Sequence, residues 1–357
     1  MNIFKKFELA GRQWLIRLLG ALFGVRHREL TLSSPPKILV VRLDERVGNL
    51  ILLTPLLTSL RRRFPDAQLD LLANPRGKAL LEGHPDIDRI LLFEKRNYFG
   101  RSGPFAIFRT LRRNRYDLAI DAGNPLGPST TQTLVVWLSG ANNTIGVQRR
   151  DQARLFTQTV IIPPEVEHEI DLRLQLLNPL PGTARTREVS VGPLPKNKAI
   201  DALVRSLPKK WVVLNIGARL LQKQLSVQDY AEVTRSIQQA GFSPLLTWGP
   251  AEKALAANVA EATGAPLAPP TSLHALSSLM QQANAVVTCD TGPMHLAVAV
   301  GTPTFGIFVC TDPKRFGYSE SPHQALDAQE GWQADYGIEM KSWLQGVLPQ
   351  AAEPQER

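Results

Sequence analysis

AVVTCDTGPMHLAVAVGTPTFGIF, residues Ala285–Phe308, carries the clearest indication of the fold. An apolar run ends at Asp290, a tight turn with Gly292 and Pro293 follows, and a helical pattern then leads to a second apolar run. A strand, a helix and a strand in this order predict a parallel sheet covered by helices. Ligands of such sheets bind beyond the carboxyl ends of the strands, which is where Asp290 lies.

The turn after the first strand suits a ligand that carries both a pyrophosphate and a sugar. The N-terminus of the following helix offers unpaired N–H groups and a partial positive charge, which favour phosphate. Gly292 lets the backbone approach the ligand closely. Asp290 is placed to accept hydrogen bonds from sugar hydroxyls, and His295 falls in the first helical turns, so we expect it to face the same mouth.

The same alternation of strands and helices extends over both halves of the chain. The apolar runs outside the opening stretch are KILVVRL, QLDLLAN, RILLFE and YDLAIDAG in the first half and WVVLNIG and SPLLTWG in the second. A segment rich in Pro and Gly, roughly residues 179–198, separates the halves. We therefore predict an α/β protein of two Rossmann-like domains, residues 31–185 and 186–335, facing each other across a cleft. An N-terminal arm, residues 1–30, and a C-terminal helix and tail, residues 336–357, flank them.

Four segments, in order along the chain, resemble the bacterial heptosyltransferases, which form glycosyltransferase family nine. CDTGPMHLAVAVGTPTFGIF is similar to that family's D-T-G-x-x-H-x-A-x-A-x-G-x-P-x-x-x-x-F pattern. The other three segments are KILVVRLDERVGNLILLTPLLTSLRRRFPDAQLDLLAN, WVVLNIGARLLQKQLSVQDYAEV and LLTWGPAEKALA. The resemblance covers most of the chain and implies a GT-B fold and inverting transfer of a heptose. The implied donor is typically ADP-heptose, the implied acceptor is the growing inner core of lipopolysaccharide, and no metal or other cofactor is obligatory.

The resemblance also implies which residues bind the donor. Lys223 matches the family lysine that contacts the phosphates, and Glu252 matches a carboxylate expected at the ribose. Arg219, in the same loop as Lys223, is a hypothetical second phosphate contact. The remaining donor-binding candidates lie in the opening stretch and are Asp290, Thr291, Gly292 and His295. Lys223 would also be unremarkable as a surface lysine, and Glu252 as the first residue of a helix.

Position 49 departs from the family, which usually has Gly-Asp where this chain has Gly48-Asn49. The aspartate is the expected general base that deprotonates the acceptor hydroxyl, whereas an asparagine has no proton-accepting charge at neutral pH. Three hypotheses follow. Asp44 or Glu45 acts as the base instead; Asn49 only orients the acceptor while stabilisation of the leaving diphosphate drives the reaction; or transfer activity has been lost.

Basic residues favour an anionic acceptor. Arg96 and Arg101 lie in the basic, aromatic stretch Lys95–Asp117, and we predict that they bind the acceptor together with Gly48. Arginine pairs with carboxylates and phosphates in a bidentate manner. Arg61–Arg63 form a second basic run. The simpler explanation for both runs is a solvated helix face.

The net charge of +9 favours nucleic acid, an anionic membrane or a phosphorylated substrate. No nucleic-acid motif is present, so nucleic acid is not an expected partner. The first thirty residues predict a basic amphipathic helix that lies on the inner membrane surface or packs on its own protein. Neither a membrane-spanning helix nor a signal peptide is expected. The two cysteines, Cys289 and Cys310, suit buried thiols in a reduced, cytoplasmic chain at the inner face of the membrane.

Other function classes are less consistent with the sequence. A non-catalytic relative that binds sugar nucleotides and scaffolds core assembly is the main alternative, because of Asn49. A related transferase that uses another sugar is a further alternative, because fold and motif constrain the phosphates better than the sugar. A nicotinamide-dependent oxidoreductase is disfavoured, since no G-x-G-x-x-G follows the first strand.

Overall fold

The structure of the chain is a computed structural model that describes residues 17–347, except 26, 28, 95, 96, 98, 99, 101, 128 and 129, together with residues 11 and 14. Contacts divide the chain into two compact units, an N-terminal unit of Met1–Glu188 and a C-terminal unit of Val189–Arg357. The division lies in the segment rich in Pro and Gly.

The N-terminal unit contains a six-stranded parallel sheet with the strand order β3-β2-β1-β4-β5-β6. Its strands are β1 (Lys37–Arg42), β2 (Gln68–Ala73), β3 (Arg89–Leu92), β4 (Leu118–Asp121), β5 (Asn143–Val147) and β6 (Gln158–Val160). The first four confirm the predicted apolar runs. The sequence analysis did not predict β5 and β6, which are NTIGV and QTV, because both are short and begin with polar residues.

Among the described residues, six α-helices lie between or after these strands of the N-terminal unit. They are α1 (Val47–Ile51), α2 (Thr54–Arg63), α3 (Pro75–Leu81), α4 (Pro104–Asn114), α5 (Thr130–Leu138) and α6 (Glu169–Leu174). Pro75 and Pro104 begin α3 and α4, where the missing N–H of proline costs nothing. Asn74 caps α3 by accepting the Gly77 N–H at 3.0 Å.

The C-terminal unit contains a five-stranded parallel sheet with the order β11-β10-β9-β7-β8. Its strands are β7 (Trp211–Ile216), β8 (Ser243–Trp248), β9 (Ala285–Cys289), β10 (Thr304–Phe308) and β11 (Gln324–Asp327). The first four confirm the prediction. The fifth, QALD, was not predicted because its four residues have no apolar run.

Within the described part of the C-terminal unit, the chain forms seven α-helices. They are α7 (Lys198–Ser206), α8 (Val227–Gln239), α9 (Lys253–Thr263), α10 (Leu273–Gln282), α11 (Gly292–Ala299), α12 (Pro313–Phe316) and α13 (Ala334–Val347). The start of α8 is fixed by a capping box, in which Ser226 and Asp229 each bond to the other's backbone N–H. Helical hydrogen bonding therefore begins immediately after the loop that carries Lys223.

Both sheets are buried on their two faces. Residues Ile38–Val41 of β1 and Val212–Leu214 of β7 have essentially no exposed surface. A parallel strand that is covered on both sides needs apolar residues at every position, which explains the continuous apolar runs in the sequence. Polar residues consequently concentrate where the strands end.

Each sheet has one point at which the strand order reverses. In the N-terminal unit it lies between β1 and β4, where Val41 pairs with Asp121. In the C-terminal unit it lies between β7 and β9, where Asn215 pairs with Thr288. The connections leave such a point in opposite directions and open a crevice beyond the carboxyl ends of the two strands.

The N-terminal segment packs partly on its own unit. Residues 17–23 are helical, the Phe23 ring lies 6.2 Å from that of Trp137, and the Val25 N–H donates to the Arg154 carbonyl at 3.0 Å. Trp14 and Leu22 are nevertheless 64% and 63% exposed. Within the described part of the chain, no helix combines the length and apolar character needed to cross a bilayer.

The two cysteines differ from the expectation of two buried thiols. Cys289, the last residue of β9, is buried, and burial raises the pKa of its thiol to about 11. The expectation was wrong for Cys310, which is exposed because it follows the end of β10 rather than lying within the strand.

Candidate functional site

Lys223, Asp290 and Thr311 form a cluster at the carboxyl ends of the C-terminal strands, which we call the lysine cluster. The Lys223 ammonium donates to an Asp290 carboxylate oxygen and, at 3.2 Å, to the Asp290 carbonyl. The Thr311 hydroxyl donates to the same carboxylate oxygen at 2.5 Å. The Asp290 side chain is 5% exposed and that of Lys223 is 21% exposed. The buried carboxylate therefore holds a cation that reaches solvent.

The lysine cluster lies beside the N-terminus of α11. Asp290 is followed by Thr291, which precedes this helix, and Gly292 is the first residue of the helix. Thr291 lies within 3.4 Å of the Thr288 hydroxyl at the end of β9. A lysine and a helix N-terminus attract the same anions, so this arrangement is chemically suited to a phosphate.

Glu252 lies over the ends of β7 and β8. Gly217 and Gly249, which directly follow these strands, leave room for it, because a methyl group at Gly217 would lie 3.1 Å from the Glu252 Cγ. Gly217 also has a φ of +153°, a value that side chains disfavour. The structure thus brings Glu252 to the strand ends that carry the lysine cluster. Arg219 is exposed in the loop after β7.

His295 lies in α11, and its orientation toward the mouth of the site stays a prediction. It is buried in α11, and its Nδ1 lies 2.9 Å from the Tyr318 hydroxyl. The two rings meet edge to face, with their centroids 5.6 Å apart. The Nδ1 atom therefore has a hydrogen-bond partner, Tyr318, within the protein.

A second polar cluster, the arginine cluster, consists of Arg42, Asp44 and Asn49 at the carboxyl end of β1. The Arg42 guanidinium donates to an Asp44 carboxylate oxygen at 3.3 Å, and the Asn49 amide donates to the same oxygen at 2.5 Å. The other Asp44 oxygen accepts the Arg46 backbone N–H at 2.9 Å. The structure thus brings together two of the three candidate catalytic residues, Asp44 and Asn49.

The remaining candidates from this loop have other surroundings. Glu45 is exposed, and among the described residues no hydrogen bond to its side chain is seen. Gly48 is buried within α1. Asn74 donates to the Asp44 carbonyl while it caps α3, so the backbone of the loop is fixed as well.

Arg42 is unusual because its charge is buried. Its side chain is 1% exposed, and its second amino group donates to the Ala122 carbonyl at 2.8 Å. The pKa of Arg42 is lowered to about 9, mainly by burial and then by nearby Arg173, against the opposing effect of the carboxylates of Asp44, Glu169 and Asp121. A guanidinium in such a place needs a counter-charge, which Asp44 supplies.

Asp121 is the last residue of β4 and lies at the point where the strand order reverses between β1 and β4. Burial raises the pKa of its carboxyl group, whereas Arg149 and the hydrogen bonds from Thr133, Gly123 and Gln132 lower it. The Gln132 amide donates to Asp121 at 2.9 Å and to the Val41 carbonyl at 2.6 Å. Asp121 is therefore a support for the end of β1 rather than a group open to a ligand.

The sequence analysis missed Thr311, Tyr318 and Arg42. A signal existed for Thr311 and Arg42, because both lie at the carboxyl end of a predicted strand, β10 and β1 respectively. No signal in the sequence pointed to Tyr318, which comes close to His295 only through folding. The predicted acceptor-binding residues Arg96 and Arg101 lie outside the described residues.

Residues 105–341 match the family described as Glycosyltransferase family 9 (heptosyltransferase). The chain belongs to this family. Lipopolysaccharide heptosyltransferase 3 of Escherichia coli (strain K12) is 26% identical over 285 residues, which are 74% of this chain and 80% of the relative. The chain is therefore a glycosyltransferase, as predicted.

Solved structures of family 9 proteins share the fold. The family 9 glycosyl transferase of Veillonella parvula matches with a TM-score of 0.71 and 20% identity, over 88% of this chain and 91% of that one. E. coli heptosyltransferase WaaC with ADP-2-deoxy-2-fluoro heptose matches with a TM-score of 0.66 and 19% identity, over 87% of this chain and 100% of that one. The predicted GT-B class of this family 9 transferase is confirmed.

Proposed function

We propose that this glycosyltransferase moves a heptose from ADP-heptose to the inner core of lipopolysaccharide, with inversion at the anomeric carbon. The observation that carries the proposal is the Lys223 ammonium, held by Asp290 and Thr311 beside the N-terminus of α11. The names of the relatives supply the sugar and the acceptor. One relative is a lipopolysaccharide heptosyltransferase, and a structural neighbour was solved with an analogue of ADP-heptose.

The lysine cluster is suited to the leaving group of this reaction. Negative charge develops on the diphosphate as the bond to the anomeric carbon breaks. Lys223 and the N–H groups at the start of α11 would stabilise that charge, and Glu252 would accept hydrogen bonds from the ribose hydroxyls. Because these groups supply counter-charge from the protein, the proposal includes no obligatory metal ion.

The acceptor in this proposal is an anionic, lipid-linked oligosaccharide at the cytoplasmic face of the inner membrane. The net charge of +9 and the exposed Trp14 and Leu22 of the N-terminal segment support it. Deleting residues 1–28 should then lower the fraction of protein that floats with vesicles of anionic phospholipid. An unchanged fraction would remove the membrane surface from the proposal.

A transfer assay tests the function. Purified protein receives ADP-heptose and truncated lipopolysaccharide cores, and mass spectrometry follows the gain of one heptose by the acceptor. We expect product from the unsubstituted chain and at least a tenfold loss of kcat/KM for Lys223→Gln, because a charge-assisted hydrogen bond to the diphosphate contributes about 1.5–3 kcal/mol. Lys210→Gln is the matched control, since Lys210 is an exposed lysine at the opposite end of β7.

The possible outcomes separate the alternatives. Transfer of a different sugar, and not of heptose, would show that ADP-heptose is not the donor. ADP binding without transfer to any core would favour the non-catalytic scaffold. Equal losses in the two lysine variants would show that Lys223 has no specific role at the donor.

A further inference from the structure

We infer that Asp44 is the catalytic base of the proposed transfer, and that Arg42 and Asn49 are positioning residues that fix its carboxylate. The inference rests on the proposed function. It explains why this chain has an asparagine at position 49, where an aspartate is expected. Asn49 donates a hydrogen bond to the base, a contact that a carboxylate at this position is unable to make when both groups are charged.

The carboxylate of Asp44 is fixed from several directions. One oxygen accepts from Arg42 and Asn49, and the other accepts the Arg46 backbone N–H. Asn74 holds the Asp44 carbonyl. The side chain is nevertheless 28% exposed. A general base must be both oriented and within reach of a hydroxyl, and Asp44 meets both conditions.

Arg42 has little freedom to do anything other than hold Asp44. One of its amino groups is bound to the Ala122 carbonyl, and the side chain is almost fully buried. A ligand is therefore not able to reach the guanidinium directly. The other amino group points to Asp44, so the buried charge acts on the reaction only through that carboxylate.

In the inferred step, the Asp44 carboxylate takes the proton of the acceptor hydroxyl. The hydroxyl oxygen forms a bond to the anomeric carbon of the heptose as the bond from that carbon to the phosphate oxygen breaks. The electron pair of the broken bond leaves with ADP. The step needs no oxidant, reductant or other reactant.

The first test is Asp44→Asn, which keeps the size of the side chain and removes its basicity. We expect kcat to fall by about a hundredfold to ten-thousandfold, as for loss of a general base, with little change in the KM for ADP-heptose. The matched control is Asp88→Asn. Asp88 also pairs with an arginine of the same unit, Arg61 at 2.7 Å, but it lies before β3, at the opposite ends of the strands.

The pH profile separates a base from a mere counter-ion. The acid limb of kcat should disappear in Asp44→Asn, whereas a purely structural Asp44 would leave the shape of the profile unchanged. The melting temperature falls in either case, because the buried Arg42 loses its counter-charge. Survival of transfer in Asp44→Asn, or its loss in Glu45→Gln alone, would overturn the inference but not the proposed function. Absence of transfer by the unsubstituted chain would overturn both.

Asn49→Asp provides an independent test. It would place a second carboxylate within hydrogen-bond distance of Asp44, and two carboxylates that close share a proton. The acid limb should therefore move to higher pH. Other charged groups near this site are Glu45 and Arg46 of the loop, Arg173 and Glu169 of α6, and Asp121 of β4. A higher kcat with an unmoved acid limb would identify position 49 itself as the base and overturn the inference.

Discussion

Each unit has an ion pair at the carboxyl end of a central strand, β1 in the N-terminal unit and β9 in the C-terminal unit. The two pairs bury opposite partners. In the arginine cluster the cation is buried and the carboxylate of Asp44 is partly exposed. In the lysine cluster the carboxylate of Asp290 is buried and the side chain of Lys223 is partly exposed. A buried charge needs its partner to remain in place, so the exposed member of each pair is held in a fixed position at the surface.

This difference supports the different roles that we propose for the two clusters. An exposed, oriented carboxylate accepts a proton, which an acceptor hydroxyl must lose before it attacks a sugar. An exposed, oriented ammonium binds an anion, which a diphosphate leaving group provides. The two parallel sheets are similar, but the partly exposed member of the ion pair is an anion in the N-terminal unit and a cation in the C-terminal unit. Folding determines which partner of each pair is buried.

The largest expected effect tests whether the buried cation holds the arginine cluster together. Asp44→Leu should destabilise the N-terminal unit by about 3–5 kcal/mol, because it leaves the buried Arg42 guanidinium without its counter-charge. Hydrogen exchange of peptides that cover β1, followed by mass spectrometry, measures the loss. Asp290→Leu is the comparison, and it should change exchange in β9 less, because the Lys223 ammonium that it leaves behind is partly exposed and such a pair contributes about 0–1 kcal/mol. Equal losses in the two units would show that the difference in burial has no energetic consequence.

A smaller effect concerns the hydroxyl that holds the lysine cluster. Thr311→Val removes one hydrogen bond to the buried Asp290 and should weaken ADP binding by roughly twofold to tenfold, because such a bond contributes about 0.5–1.5 kcal/mol. Isothermal titration calorimetry with ADP measures the change. Thr263→Val is the control, since the hydroxyl of Thr263 donates to the Val259 carbonyl and accepts the Ala265 N–H at the end of α9. Unchanged affinity in both variants would mean that Asp290 keeps its position without Thr311.

The smallest effect appears only at acid pH and concerns the N-terminal unit. Burial lowers the pKa of His84, and its Nδ1 accepts the Asp86 backbone N–H at 3.2 Å. Below pH 6.5 the unfolded chain binds the proton before the folded chain does, so the unit should lose stability as the pH falls, by at most about 1.4 kcal/mol per pH unit. His84→Asn keeps an acceptor for that N–H and should flatten the dependence in thermal unfolding at pH 5–7.5. An unchanged slope in this variant would assign the dependence to another group.

The parts of the fold that were predicted share a clear signal. Continuous apolar runs identified eight of the strands, because both faces of a parallel sheet are buried. The three missed strands, β5, β6 and β11, have three to five residues and polar positions, so packing against a longer neighbour stabilises them. The ends of the predicted strands pointed to Asp44, Lys223 and Asp290, and the structure places these residues in the arginine cluster and the lysine cluster. The roles assigned to these residues remain predictions.

The parallel α/β class, the family and the strand ends at which polar side chains collect can all be read from the sequence. These features follow from local apolar patterns and from motifs within short stretches of chain. Three other features become visible only in the folded chain: Asn49 donates to Asp44, Thr311 donates to Asp290, and Arg42 is buried. The reason is that burial depends on segments distant in sequence. Ala122, 80 residues from Arg42, accepts its hydrogen bond, and folding alone brings the two together.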